Sequence, residues 1–195
     1  MLRHSRQDMT FPSIDLLTAP RVVVRPVTEA DLPDLFEVNG DDEVTKFLPY
    51  ATWNSLVDGA AWLRRMQVLG EAGAAQQLVV ERKSDGKVLG GVLLFKHEAG
   101  SARLELGYVL GRQYWRQGFA REALTAVCDH LFRTAGIRRI EAEVDPGNVA
   151  SCAVLASLGF TLEGRLRERW VCKGRTYDSD IHGCLAVDWS RRACL

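Results

Sequence analysis

The stretch from Ala74 to Leu110 limits the fold more than any other part of the chain. It holds three strand-like runs, "AAQQLVVERK", "KVLGGVLLFKHE" and "ARLELGYVL". The turns between them, "SDG" at Ser84–Gly86 and "AGS" at Ala99–Ser101, are too short to hold a crossover helix. Strands joined so tightly lie antiparallel, as a meander. In the third run Ala102, Leu104, Leu106, Tyr108 and Leu110 share one face; Arg103, Glu105, Gly107 and Val109 share the other.

Helical patterns surround the meander. "RVVVRPV" (Arg21–Val27) reads as a strand, and "TEADLPDLFEV" as a helix capped by Thr28, with Leu32, Leu35, Phe36 and Val38 as its stripe. "FLPYATW" breaks the pattern and is expected to expose its aromatics. A helix follows Ser55, with Leu56, Ala60, Leu63 and Met66 as its apolar face, and ends at Gly70 or Gly73. The helix after Gly118 places Ala120, Ala123, Leu124, Val127, Cys128 and Leu131 on one side, and Gly136 closes it. "IRRIEAEVD" is a strand, and "PGNVASCAVLASLGF" a turn and short helix stopped at Gly159. "TLEGRLRERWVC" and "TYDSDIHGCLAVDW" are strands joined at Lys173–Gly174. The expectation is one mixed α/β (α+β) domain over residues 20–190, with an aperiodic polar arm over residues 1–19.

Composition narrows the function classes. Lys+Arg and Asp+Glu both number 25, so the net charge is zero and the chain lacks the basic excess of a general nucleic-acid or membrane-surface binder. No apolar run is long enough to cross a bilayer, and the start has no secretory pattern. The five cysteines, Cys128, Cys152, Cys172, Cys184 and Cys194, are odd in number and scattered. They read as reduced thiols in a cytoplasmic protein, and neither they nor the four histidines have metal-site spacing.

"YWRQGFAREAL" (Tyr114–Leu124) carries the chemistry. The orphan N–H groups and dipole of a helix start attract an anion. Gly118 lets a ligand approach the backbone, Arg116 adds charge, and Ala120 keeps the first turn small. An ordinary turn glycine would look the same in isolation. A P-loop needs G-x-x-x-x-G-K-[ST], and a dinucleotide fingerprint needs G-x-G-x-x-G in a parallel βαβ unit; neither is present.

The stretch resembles the acyl-CoA-binding motif of the GNAT N-acetyltransferases, [QR]-x-x-G-x-[GA]. Gly118 and Ala120 match, whereas Trp115 stands where the motif has Gln or Arg. An aromatic there, before a G-K-G-Y-A-like string, is typical of the RimJ/RimL branch, which acetylates protein N-termini. "TAPRVVVRPVTEADLPDLF", "RLELGYVLGRQYWRQGFAREAL" and "RRIEAEVDPGNVASCAVLASLGFTLEGRLRERW" resemble that branch in the same order, over roughly Thr18 to Trp189. The resemblance implies a bent, mostly antiparallel sheet flanked by helices, whose fourth and fifth strands splay apart to admit the pantetheine arm of acetyl-CoA. Leu106, Tyr108 and Val109 would then meet that arm, with Gly107 easing close approach or a bulge. Trp115, Arg116, Gln117, Gly118, Phe119 and Ala120 would hold the pyrophosphate.

The resemblance also implies catalytic roles. Glu105 is the first candidate for the base, through a water; the alternative is a strand glutamate paired with Arg103 or another cation. Glu168 is the second candidate. Asn148 would hold the pantetheine arm and Ser151 face the sulfur as proton donor, although Asn148 also reads as an N-cap bonded to the Ser151 N–H. Many relatives carry a tyrosine acid seven residues after this asparagine; here that position is Leu155. Tyr50, Trp53, Glu168, Trp170, Tyr177 and Asp178 are the expected acceptor lining. The function implied is acetyl transfer from acetyl-CoA, without a metal, to a primary amine such as a protein N-terminus. The alternatives are a small-molecule amine acceptor and a non-catalytic acyl-CoA-binding module. A homodimer is compatible with the sequence.

Overall fold

The computed structural model describes residues 11–192. The first ten residues of the expected arm, and Cys194, lie outside the described residues. Eight strands form one sheet in the order β1-β2-β3-β4-β5-β6-β8-β7. β1 (Leu17–Thr18) and β2 (Val22–Pro26) precede the expected meander, which is β3 (Ala75–Arg82), β4 (Val88–Glu98) and β5 (Arg103–Leu110). β6 (Arg139–Val144), β7 (Thr161–Cys172) and β8 (Arg175–Leu185) complete it. All neighbouring pairs are antiparallel except β5 with β6.

That parallel pair is short. It joins Arg103 to Arg139, Leu104 to Ile140 and Glu105 to Glu141, and goes no further. From Leu106 to Leu110, the only strand that β5 pairs with is β4. The other edge of these residues is open, because β6 turns away to pair with β8. These are the splayed fourth and fifth strands of the expected fold, renumbered here by the short β1.

The helices divide between the two faces. α4 (Phe119–Arg133) and α5 (Val149–Ser157) cover one face over a continuous core that includes Val22, Val24, Leu78, Leu94, Leu104, Leu106, Leu124, Leu131, Ile140, Leu155 and Leu158. α1 (Leu32–Asn39), the short α2 (Asp42–Thr45) and α3 (Leu56–Glu71) lie before the meander. α1 packs on β4 and α3 on β3, over a second core of Leu32, Leu35, Trp53, Trp62, Leu63, Met66, Val79 and Val88. Strand alternation feeds both layers: Leu78 and Val80 face the first and Val79 the second. Beyond β4 the second face carries charge instead. On β6, Ile140, Ala142 and Val144 are buried, while Glu141 and Glu143 alternate with them.

Several expectations change. The inward stripe of α3 is Gly59, Trp62, Leu63 and Met66, whereas Leu56 is exposed. Gly59 is required beneath the Trp53 ring, because a Cβ there would come within 2.8 Å of it. Ser55 does cap this helix, and Gly73, at φ +64, ends it. Trp53 is buried rather than exposed, its ring 5.4 Å from that of Trp62. The last strand stops at Leu185, and "AVDWSRR" forms α6 (Ala186–Arg192), where Trp189 packs into the first core. Of the two roles expected of Gly107, close approach or a bulge, the bulge is absent there, since Gly107 pairs regularly with Leu93; a bulge lies on β4 between Phe95 and Glu98. Within the expected arm, Ile14 is buried and exchanges two hydrogen bonds with the Gln76 side chain, and β1 pairs with β2.

Candidate active site

The fork between β5 and β6 is the centre of the site, and its two faces differ because side chains alternate along β5. Glu105 points to the charged face and Tyr108 to the α4–α5 face. Glu105 is nearly buried and pairs with Lys96, Nζ to Oε2 at 2.8 Å. Of the cations the alternative reading allowed, Lys96 is the one that pairs, and Arg103 binds Glu141. Burial holds the Glu105 carboxyl above the usual carboxylate range, and Lys96 offsets only part of that. Glu143, two residues along β6 from the partner of Glu105, accepts the Trp170 indole N–H at 2.6 Å and the Arg169 guanidinium at 3.2 Å.

On the α4–α5 face, Asn148 caps α5, its Oδ1 accepting the Ser151 N–H at 3.1 Å. The cap fixes Ser151 at the near end of the helix. Tyr108 Oη lies 2.8 Å from Ser151 Oγ and donates to the Ser151 carbonyl at 3.1 Å. Burial pushes the Tyr108 phenol up to about 12, so it stays protonated and donates at neutral pH. Leu155, where related enzymes carry a tyrosine, is fully buried in the core. A phenol thus reaches Ser151 from β5 and not from α5. The Cys152 thiol is raised by burial, the opposite of what a nucleophile needs.

The turn from β5 into α4 forms the helix mouth. Trp115 is partly exposed and donates its indole N–H to the Leu110 carbonyl at 2.7 Å, tying the loop to the end of β5. Arg116 and Gly118 both take left-handed backbone, φ +59 and +81. Gly118 is the N-cap, and Gln117 and Arg116 stand exposed before it. Phe119 is buried in the core, so the first turn is anchored by an aromatic ring and is not merely small; Ala120 packs beside it. Arg21 was missed in the sequence. It lies over the Phe119 ring, binds Glu122 at 2.7 Å, and donates to the Gln117 carbonyl at 3.0 Å. A groove of about 890 Å³ runs from Gly118 along α4, with Leu17–Arg21 as its other wall.

The expected acceptor residues divide. A cleft of about 390 Å³ lies between the "FLPYATW" segment and the β7–β8 hairpin, lined in part by Phe47, Leu48, Asp145, Lys173 and Tyr177. Tyr50 lies next to it in sequence but donates to Asn39, and Trp53 belongs to the α1–α3 core. Trp170 stands beside Glu143 at the fork. Glu168 and Asp178 face each other across a bulge in β7: Glu168 has φ +49, and its N–H donates to Asp178 Oδ1 at 2.9 Å. Asp178 therefore supports a backbone kink. Glu141 and Glu143, and the cations around them, escaped the sequence reading. Their alternation with Ile140, Ala142 and Val144 was the available signal.

A carboxylate on one side of an open strand edge, a hydroxyl pair on the other and a glycine-opened helix start at the end of the same strand make a candidate acyl-transfer site. Comparison with known proteins gives the family. Residues 21–161 match the model of the acetyltransferase (GNAT) domain, and the chain belongs to that family; it is an acetyltransferase. It is 32% identical over 179 residues to the uncharacterized N-acetyltransferase p20 of Bacillus licheniformis, covering 91% of this chain and 99% of that one. Over 85 residues, 44% of each chain, it is 35% identical to the ribosomal protein uS5-alanine N-acetyltransferase of Escherichia coli. Its fold superposes on Mycobacterium smegmatis RimJ, solved in complex with CoA-disulfide, with a TM-score of 0.83 at 23% identity over 94% of this chain and 95% of that one.

Proposed function

We propose that the chain transfers the acetyl group of acetyl-CoA directly to the α-amine of a protein N-terminus. The observation that carries this reading is the opening of β5 from β6 immediately after Glu105. The outward N–H and C=O groups between Leu106 and Leu110 that bond neither to β4 nor, like the Leu110 carbonyl, to Trp115 suit an amide-bearing pantetheine arm running alongside as an extra strand. The Gly118 helix start suits the pyrophosphate, and the groove along α4, with Arg21 and Arg121 on its walls, suits the nucleotide end.

Acetyl-CoA, when bound, supplies an activated carbonyl. Glu105 takes the proton from the attacking amine, directly or through one water. A β5 N–H at the fork donates to the carbonyl oxygen as charge develops on it. Ser151, held by Tyr108 and by the Asn148 cap, gives a proton to the departing thiolate. An α-amine with a pKa of about 7.7–8.0 is partly neutral at cytoplasmic pH, so a single modest base suffices, whereas a lysine at about 10.4 asks for more. The partial likeness to a uS5-alanine N-acetyltransferase supports a protein N-terminus as acceptor, as does a cleft bounded by an exposed hairpin.

Thiol release from acetyl-CoA, measured against peptides with different first residues and a panel of small amines, tests this. Release with peptide N-termini is expected. Turnover of small amines alone would move the acceptor class, and CoA binding without turnover of any amine would leave an acyl-CoA-binding module.

A further inference from the structure

The charged face of the fork already holds an amine. Lys96 Nζ lies 2.8 Å from Glu105 Oε2 and 3.8 Å from Glu143 Oε2, so one ammonium bridges β5 and β6 at the point where they part. A regular strand would not place it there. Phe95 pairs with Glu105, so the next residue should point to the opposite face. The bulge between Phe95 and Glu98, with Lys96 at φ +51, breaks that alternation and brings the side chain back over Glu105. The ammonium also sits 5.3 Å from the centre of the Phe95 ring. The neighbouring cations are engaged elsewhere: Arg103 and Arg139 bind Glu141, and Arg169 binds the other oxygen of Glu143. Among the described residues, Lys96 is the only ion-pair partner of Glu105.

The burial is lopsided. The Lys96 side chain is 47% exposed, while Glu105 and Glu143 are 10% and 8% exposed. The lysine can swing into water at little cost, but the carboxylates remain where they are and need a cation near them.

We propose that Lys96 is a resident competitor for the acceptor: its ammonium holds the place between Glu105 and Glu143 that the incoming primary ammonium takes. The proposal rests on the reading above that Glu105 receives the acceptor's proton. Entry of the acceptor exchanges one ammonium for another, so charge at the fork is conserved. An alcohol, or any neutral nucleophile, cannot make that exchange without leaving the nearly buried Glu105 carboxylate without its cation, since Arg169 serves Glu143 alone. Lys96 thereby restricts the acceptor to amines that arrive as cations.

The test is steady-state kinetics of Lys96→Gln and Lys96→Arg with acetyl-CoA and an alanine-initiated peptide. Lys96→Gln should lower the peptide KM about three- to fivefold, the scale of a half-exposed ion pair. The acetyl-CoA KM should stay within about twofold on the same scale. Lys96→Arg, which keeps the cation, should restore the wild-type peptide KM. A lysine with a purely structural role would alter thermal stability and leave the peptide KM unchanged or raised, and either result overturns the proposal. A second measurement does not need turnover. Acylation of Lys96 by N-succinimidyl acetate, read by peptide mass spectrometry as a ratio to the exposed Lys83 so that reagent consumed by the peptide's own amine cancels, should increase when saturating peptide displaces the side chain. Labelling that is unchanged or reduced overturns the competitor role even if the wild type acetylates no amine, the separate result that would overturn the proposed function.

Discussion

Glu105, the proposed base, shows how strand parity and burial combine at one residue. The same two-residue period that sends Leu104 and Leu106 into the core sends Glu105 to the charged face of the fork. Burial then raises its carboxyl above the ordinary value, toward the range where a base works near neutral pH. Glu105→Gln should lower kcat/KM by about 100-fold or more, while calorimetry gives an unchanged affinity for acetyl-CoA. A wild-type rate at neutral pH would remove Glu105 from the mechanism. The sign of the pH dependence follows from the shift. The active form is the carboxylate, so the rate falls as pH drops through a pKa above the usual 4.3 of glutamate. The amine itself contributes a separate, higher limb that Glu105→Gln should retain. Asp31 behaves in the opposite way. Burial alone would raise it, but hydrogen bonds from Arg25 and Thr28 bring it below the usual range. A depressed folded-state value contributes stability above the unfolded pKa near 3.9 that is lost as pH falls through the folded value. Asp31→Asn should therefore cost about 2–3 kcal/mol in urea unfolding at pH 7, a gap that narrows below about pH 4.

At the scale of elements, the turn from β5 into α4 does the positioning. Three contacts fix it: the Trp115 indole on the Leu110 carbonyl, the Phe119 ring in the core, and Arg21 bridging Glu122 and the Gln117 carbonyl. Gly118 supplies the left-handed residue the turn requires, and a Cβ there would stand 3.3 Å from the Arg21 guanidinium. Gly118→Val should weaken acetyl-CoA binding at least about tenfold by calorimetry and cost about 1–2 kcal/mol of stability. Unchanged affinity would refute the pyrophosphate assignment. Gly90 is as constrained, for a different reason: a Cβ there would lie 2.1 Å from the Val109 carbonyl oxygen, inside the β4–β5 ladder that carries Glu105.

For the molecule as a whole, the two faces of the sheet are finished differently. Helices cover both faces of β3 and β4, but only one face over β6, and the uncovered part is where the fork and its carboxylates meet the outside. The segment before β2 also belongs to the domain. Ile14 is 1% exposed and bonded to Gln76 on β3, and Leu17–Thr18 extends the sheet. Ile14→Ala should cost about 3 kcal/mol by denaturant unfolding, as for other fully buried aliphatic side chains. A loss below about 0.5 kcal/mol would return the segment to the status of a loose arm.

What the sequence determined by itself is local in origin. The meander followed from turns too short for a helix, the faces of β5 from the two-residue period, the α4 stripe from the helical period, and the Ser55 and Asn148 caps from their side-chain chemistry. Motif order along the chain sufficed for the family. The tertiary structure decided everything that depends on partners distant in sequence. Trp53 left the expected acceptor lining for Trp62 because an aromatic in an aperiodic segment gives no sign of which layer it will enter. Glu105 took Lys96 and not Arg103 because a bulge reset the parity of β4, and Tyr108 met Ser151 only because β5 and α5, 43 positions apart at these residues, face each other across the fork. Periodicity fixes the direction a side chain points. Its partner depends on strand register, bulges and helix packing, which are properties of the assembled sheet.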